Sequence, residues 1–106
     1  MINLVVAIKS GNLEDQYTAL NFIEAVCNHS KVNISMLFFY QHAVNILLNS
    51  ENNHQLVNLV YNHKLTANLC KSACKKRGLQ ITSPFIASTI IEFLNYCNNA
   101  HRIIQF

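Results

Sequence analysis

Leu4-Val5-Val6-Ala7-Ile8 is an unbroken apolar run that stops at Gly11-Asn12, and a run without polar alternation is what a strand covered on both faces requires. Asn12 is placed to cap a helix whose first turn carries Glu14 and Asp15 and whose inward face carries Leu20, Ile23, Val26 and Cys27. Val32 to Tyr40 repeats the doubly apolar strand pattern, with Ile34, Met36, Phe38 and Tyr40 opposite Leu37 and Phe39. Gln41 to Asn49 predicts a turn of helix around Val44, Leu47 and Leu48. Asn53 is expected to cap the next helix, whose inward residues are Leu56, Leu59 and Val60. Lys64 to Cys70 reads as a short strand, and Lys71 to Arg77 as a short helix with Gly78 as its stop. Ser83-Pro84 reads as cap and first-turn proline of a helix with the stripe Ile86, Ile90, Phe93, Leu94 and Cys97. His101 to Phe106 closes the chain as a last strand. Strands alternating with helices predict an α/β fold: a small three-layer structure with a mostly parallel sheet flanked by helices, built as one domain over residues 1–106.

Composition narrows the function. A chain of 106 residues, 51% of them hydrophobic, supports one core without help from a disulfide or a metal. Charged residues make up only 12%, and asparagines supply much of the surface polarity; such a surface predicts self-association or sister subunits. The net charge of +3 fits a local anionic partner better than a nucleic-acid face. No cationic segment precedes the first apolar run, and no apolar stretch approaches the ~18 residues needed to span a bilayer. The expectation is therefore a cytoplasmic protein with no membrane partner, whose cysteines Cys27, Cys70, Cys74 and Cys97 are reduced thiols.

The segment Asn68-Leu69-Cys70-Lys71-Ser72-Ala73-Cys74-Lys75-Lys76-Arg77-Gly78 carries the chemistry. It puts Cys70 where a strand turns into a basic helix, at the carboxyl end of a strand, where function collects in folds of this kind. Unpaired amides of a first helical turn favour thiolate over thiol, and Lys71, Lys75, Lys76 and Arg77 add positive charge, although the last three also suit a helix carboxyl end. Cys70 is thus either a reactive thiol or a small buried hydrophobe at a strand end. Cys74, one helical turn on, is either a resolving thiol or a core contact. Cys27 and Cys97 lie on apolar helical faces and read as core. His29, His42, His54, His63 and His101 do not pair with the cysteines at zinc-ligand spacing, so no metal is expected. With Gly11 and Gly78 the only glycines, no loop is available to cradle a nucleotide or flavin, and no cofactor is expected.

Phe38-Phe39-Tyr40 followed by His42-Ala43-Val44, then Cys70 with Ala73 and Arg77-Gly78, and finally Arg102-Ile103-Ile104-Gln105-Phe106, resemble the DsrE/TusD family in order along nearly the whole chain, in particular its sulfur-relay D subunit. The resemblance implies parallel strands flanked by helices, assembled into trimers of related subunits and hexamers. It also implies that Cys70 carries sulfane sulfur as a persulfide between donor and acceptor proteins. In the D-subunit branch that flow ends in 2-thiouridine of tRNA, so tRNA is involved only indirectly; in other branches it serves sulfur oxidation. A non-catalytic interaction subunit is the alternative. Two departures stand out: the segment after Arg77-Gly78 is short where the family has a long loop, and the turn after the first strand is shortened to Lys9-Ser10-Gly11-Asn12.

Overall fold

A computed structural model describes residues Met1–Phe106. Five strands form one sheet: β1 (Ile2–Ile8), β2 (Val32–Phe39), β3 (Ala67–Cys70), β4 (Ile86–Ser88) and β5 (Arg102–Gln105). All neighbours are parallel, in the order β4-β3-β2-β1-β5. The connections are α1 (Leu13–Cys27), a 3-10 helix (Gln41–Leu48) followed by α2 (Ser50–His63), α3 (Lys71–Lys76) and α4 (Ile90–Asn98). Because β1 to β4 step in one direction across the sheet, right-handed crossovers put α1, α2 and α3 on one face. The long return from β4 to β5 puts α4 on the other.

The central strands are buried as their composition demands. Val5, Val6, Ile8, Leu37, Phe38 and Phe39 are fully enclosed, with Leu20 and Ile23 of α1 and Leu56 of α2 packed into the same core. Asn12 caps α1 as expected, accepting from the amides of Glu14 and Asp15 at 2.9 and 3.1 Å. A buried amide group joins the first turn to the second crossover: the Gln16 side chain donates to Asn45 Oδ1 at 2.6 Å and accepts from Asn52 at 3.3 Å.

Three local expectations are corrected. Asn49, not Asn53, caps α2, accepting from Asn52 N at 2.8 Å. Ser83-Pro84 occupies a turn, and the next three residues but one, Ile86–Ser88, form strand β4. The last helix starts later, at a Thr89-to-Glu92 capping box in which each side chain meets the other's backbone amide. Within the expected stripe, Phe93 and Cys97 pack on the core while Leu94 faces outward, 52% exposed. Gly78 does end α3, with φ +66, and the Leu79 amide reaches back to the Cys74 carbonyl at 2.9 Å.

Candidate functional site

Cys70 ends β3 and is the N-cap of α3, in extended conformation with ψ 117. Its register partner on β4 is Ser88. The helix after β3 lies on one face of the sheet and the helix after β4 on the other, so the carboxyl ends of these two strands form the topological switch point, where a crevice opens by construction. The cavity there is about 510 Å³, bounded by Tyr40, Gln41 and His42 from the end of β2, by Cys70, by Ser72, Ala73, Lys76 and Arg77 of the α3 segment, and by Ile90 of α4. Cys70 is 3% exposed, so its thiol forms part of the cavity wall rather than of the outer surface.

Two interactions define the polar side of this cavity. Cys70 Sγ lies 3.3 Å from Ser72 Oγ, and either group can donate. A thiolate, which only accepts, would receive the hydrogen bond donated by the Ser72 hydroxyl. Arg77 donates through Nη1 to the Ala73 carbonyl at 3.1 Å and its Nη2 meets His42 Nδ1 at 3.3 Å. A guanidinium has no acceptor, so in this contact Arg77 is the donor and His42 Nδ1 the acceptor. The imidazole is set by an unusual approach: a Cβ on Gly11 would come within 2.9 Å of His42 Cβ and 3.3 Å of its carbonyl oxygen, so only glycine lets the β1–α1 turn lie against the 3-10 helix. Gln41, at the entrance to that helix, has φ 50, a left-handed conformation that disfavours side chains and turns the backbone from β2 into the cavity rim.

The sheet supports Cys70 from below. Asn68, two residues earlier on β3, is buried; it donates to the Leu37 and Thr66 carbonyls at 3.1 and 3.2 Å and accepts from Ser88 Oγ at 2.8 Å. This ties β2, β3 and β4 together one step beneath the thiol. On the same face Phe93 of α4 stacks on Phe38 at 4.7 Å between ring centroids, and Tyr40 completes the cluster. Burial raises the Tyr40 phenol above its ordinary value, so it is a neutral donor at the cavity wall.

The expected basic cluster is divided. Lys76 and Arg77 border the Cys70 cavity. Lys71 and Lys75 border a neighbouring groove of about 400 Å³ between α3 and α4, with Thr89, Ile90 and Ile91, and Ser72 and Ile90 belong to both. The helix itself is only six residues long, so the field of its amides is limited to one turn. Cys74 is 1% exposed within the core, and burial raises its thiol above the ordinary value, with Cys70 adding to the rise and Arg77 opposing it. Cys27 and Cys97 are half-buried against the core and are raised for the same reason, burial. No group of three or more potential metal-ligating side chains comes together.

Tyr40, Gln41, His42, Ser72 and Ile90 were not singled out as site residues by spacing, because strand order, not sequence proximity, brings β2, β3 and α4 to one crevice. The Tyr40-x-His42 segment nonetheless carried part of the resemblance. The exposed apolar surface lies mostly away from the 3-10 helix. Val44 and Ile46 are buried, and of that segment Leu48 stands out; the larger share falls on Ile91 and Leu94 of α4 and on Ile86 and Ile103 of the edge strands.

The profile of the DsrE/DsrF-like family matches residues 3–106. The chain belongs to that family. No curated protein matched its sequence. Among solved structures, the YchN protein of E. coli has the same fold, with a TM-score of 0.83 at 19% identity over all of both chains. A conserved protein of unknown function from Bacteroides thetaiotaomicron aligns with a TM-score of 0.80 at 14% identity, over 98% of this chain and 94% of that one. These likenesses establish the parallel α/β fold of the family. No helix is long and apolar enough to cross a membrane.

Proposed function

We propose that this chain is a sulfur-relay protein in which Cys70 carries one sulfane sulfur as a persulfide between protein partners, in the cytoplasm. The observation that carries the reading is the position of Cys70 in the wall of the switch-point cavity, facing Ser72 and bordered by Lys76 and Arg77. Family membership supports it. In the loading step the Cys70 thiolate attacks the terminal sulfur of a donor persulfide. The donor S–S bond breaks, the donor leaves as a thiolate, and Cys70 now bears the S–S bond. In the unloading step a partner cysteine attacks that terminal sulfur and Cys70 leaves as the thiolate. Both are exchanges at constant oxidation level and need no cofactor. Ser72 donates to the anion in each state, and the two cations offset its charge. The flow assigned to this branch is towards 2-thiouridine in tRNA, with tRNA reached only through the acceptor protein.

Protein partners are assigned to the other half of the basic cluster. The groove between α3 and α4 offers Ile90 and Ile91 flanked by Lys71 and Lys75, which suits an acidic edge with an apolar contact. Self-association or sister subunits, as trimers or hexamers, are assigned to the exposed apolar residues of α4, β4 and β5. That surface also favours a second reading, an interaction subunit whose sister chain does the chemistry. Intact mass after incubation with a persulfide donor separates the two. A carrier gains one sulfur atom on the wild type and none on Cys70→Ser; an interaction subunit gains none on either.

A further inference from the structure

Cys70 is 3% exposed and lines a cavity of about 510 Å³, a volume in the range that holds a whole small ligand, whereas a partner's cysteine tip fills a fraction of it. No aspartate or glutamate borders the cavity, while Lys76 and Arg77 do. Arg77 spends two donors on the Ala73 carbonyl and His42, neither of them a carboxylate, and its guanidinium has further N–H groups to offer. Ala73, Ile90 and the ring of Tyr40 add apolar lining.

We infer that the cavity binds an anionic low-molecular-weight organic persulfide, a carboxylate-bearing thiol with one sulfane sulfur, as a direct sulfur donor to Cys70. The inference rests on Cys70 being the sulfur carrier and adds the substrate class. The donor's carboxylate pairs with Arg77 and Lys76, its carbon chain lies against Ile90 and Tyr40, and its terminal sulfur faces Cys70. The Cys70 thiolate attacks that sulfur, the donor S–S bond breaks, and the small thiol departs as its thiolate; one S–S bond is lost and one formed. His42 is a positioning residue, holding the guanidinium at the cavity edge.

The test compares loading of Cys70, followed by intact mass, from the persulfide of 3-mercaptopropionate and from the uncharged persulfide of 2-mercaptoethanol. The carboxylate donor is expected to load with saturation and about tenfold higher kcat/KM, the scale of one charge-assisted hydrogen bond. Arg77→Gln or Lys76→Gln should erase most of that preference, lowering loading from the carboxylate donor by a much larger factor than any loss they cause with the neutral donor, and Arg77→Lys should retain part of it. Lys76→Gln alters an exposed side chain, so the test stands even if an Arg77 variant fails to fold. Equal, non-saturating loading from both donors would overturn the inference and leave the carrier reading intact. Absence of Cys70-dependent loading from either donor would overturn the inference, and the carrier reading falls with it only if a protein persulfide donor also leaves Cys70 unloaded.

Discussion

The two faces of the sheet differ in how they are covered. On one, α1 and α2 bury Ala19, Leu20, Ile23, Leu56 and Leu59 against the strands, and α3 adds Ala73 and Cys74. On the other a single nine-residue helix, α4, has no fully buried residue and holds the sheet through Phe93 on Phe38. The lesson is about division of labour: the well-covered face supplies stability, and the sparsely covered one leaves the strand ends open for a cavity and leaves Ile86, Ile91, Leu94 and Ile103 in contact with solvent. Both cysteines of the central segment obey the same division. Cys74 points into the sealed layer, while Cys70, four residues earlier, borders the crevice.

The comparison breaks most directly by truncation. Leu20→Ala, at a fully enclosed site, should cost about 2–5 kcal/mol in urea unfolding, whereas Leu94→Ala on α4 should stay within about 0.5 kcal/mol for a dilute, dissociated chain. Equal losses would mean that α4 is as much a part of the core as α1. Asn68→Ala should cost about 1–3 kcal/mol, because it leaves the buried Ser88 hydroxyl and the Leu37 carbonyl without their partner. A neutral result would remove the polar tie beneath the cavity from the account.

Smaller effects sharpen it. Gly11→Ala should displace His42 and weaken its contact with Arg77, seen as a shift of the His42 ring signals in NMR with the fold retained. An unmoved His42 would show that the β1–α1 turn, not the 3-10 helix, gives way. Burial raises the thiols of Cys74, Cys27 and Cys97, so at alkaline pH the unfolded chain loses protons before the folded one does. Stability should therefore be constant below the ordinary thiol range and fall as pH climbs from there towards the raised folded values. Cys74→Ala should flatten part of that fall, as read from urea midpoints across the alkaline range. Lys75→Glu should change stability least of all, and act instead by weakening partner association in a salt-dependent manner, with the reaction of Cys70 towards a neutral reagent unaltered.

Much of this was legible in the sequence, for identifiable reasons. Leu4 to Ile8 and Val32 to Phe39 could hardly be anything but doubly covered strands, and Asn12 followed by Glu14 and Asp15 is a local signal that tertiary structure had no cause to override. Ser83-Pro84 misled because the same pair that starts a helix also makes a turn. The true start, Thr89 with Glu92 three residues on, was readable as a capping box but was masked by the apolar stripe running through β4. Cys70 was legible from its strand-to-helix position. Its neighbours Tyr40, His42 and Ile90 were not, because they arrive through the strand order and the reversal of α4, which no spacing along the chain encodes.

The central claim is that Cys70, and no other thiol, faces reagents from within the cavity. Alkylation of the folded protein with limiting iodoacetamide near neutral pH, followed by peptide mapping, tests it most directly. The account predicts that Cys70 is labelled first, with Cys27 and Cys97 following slowly and Cys74 only on unfolding. Labelling of Cys27 or Cys97 ahead of Cys70 in the folded chain would contradict it.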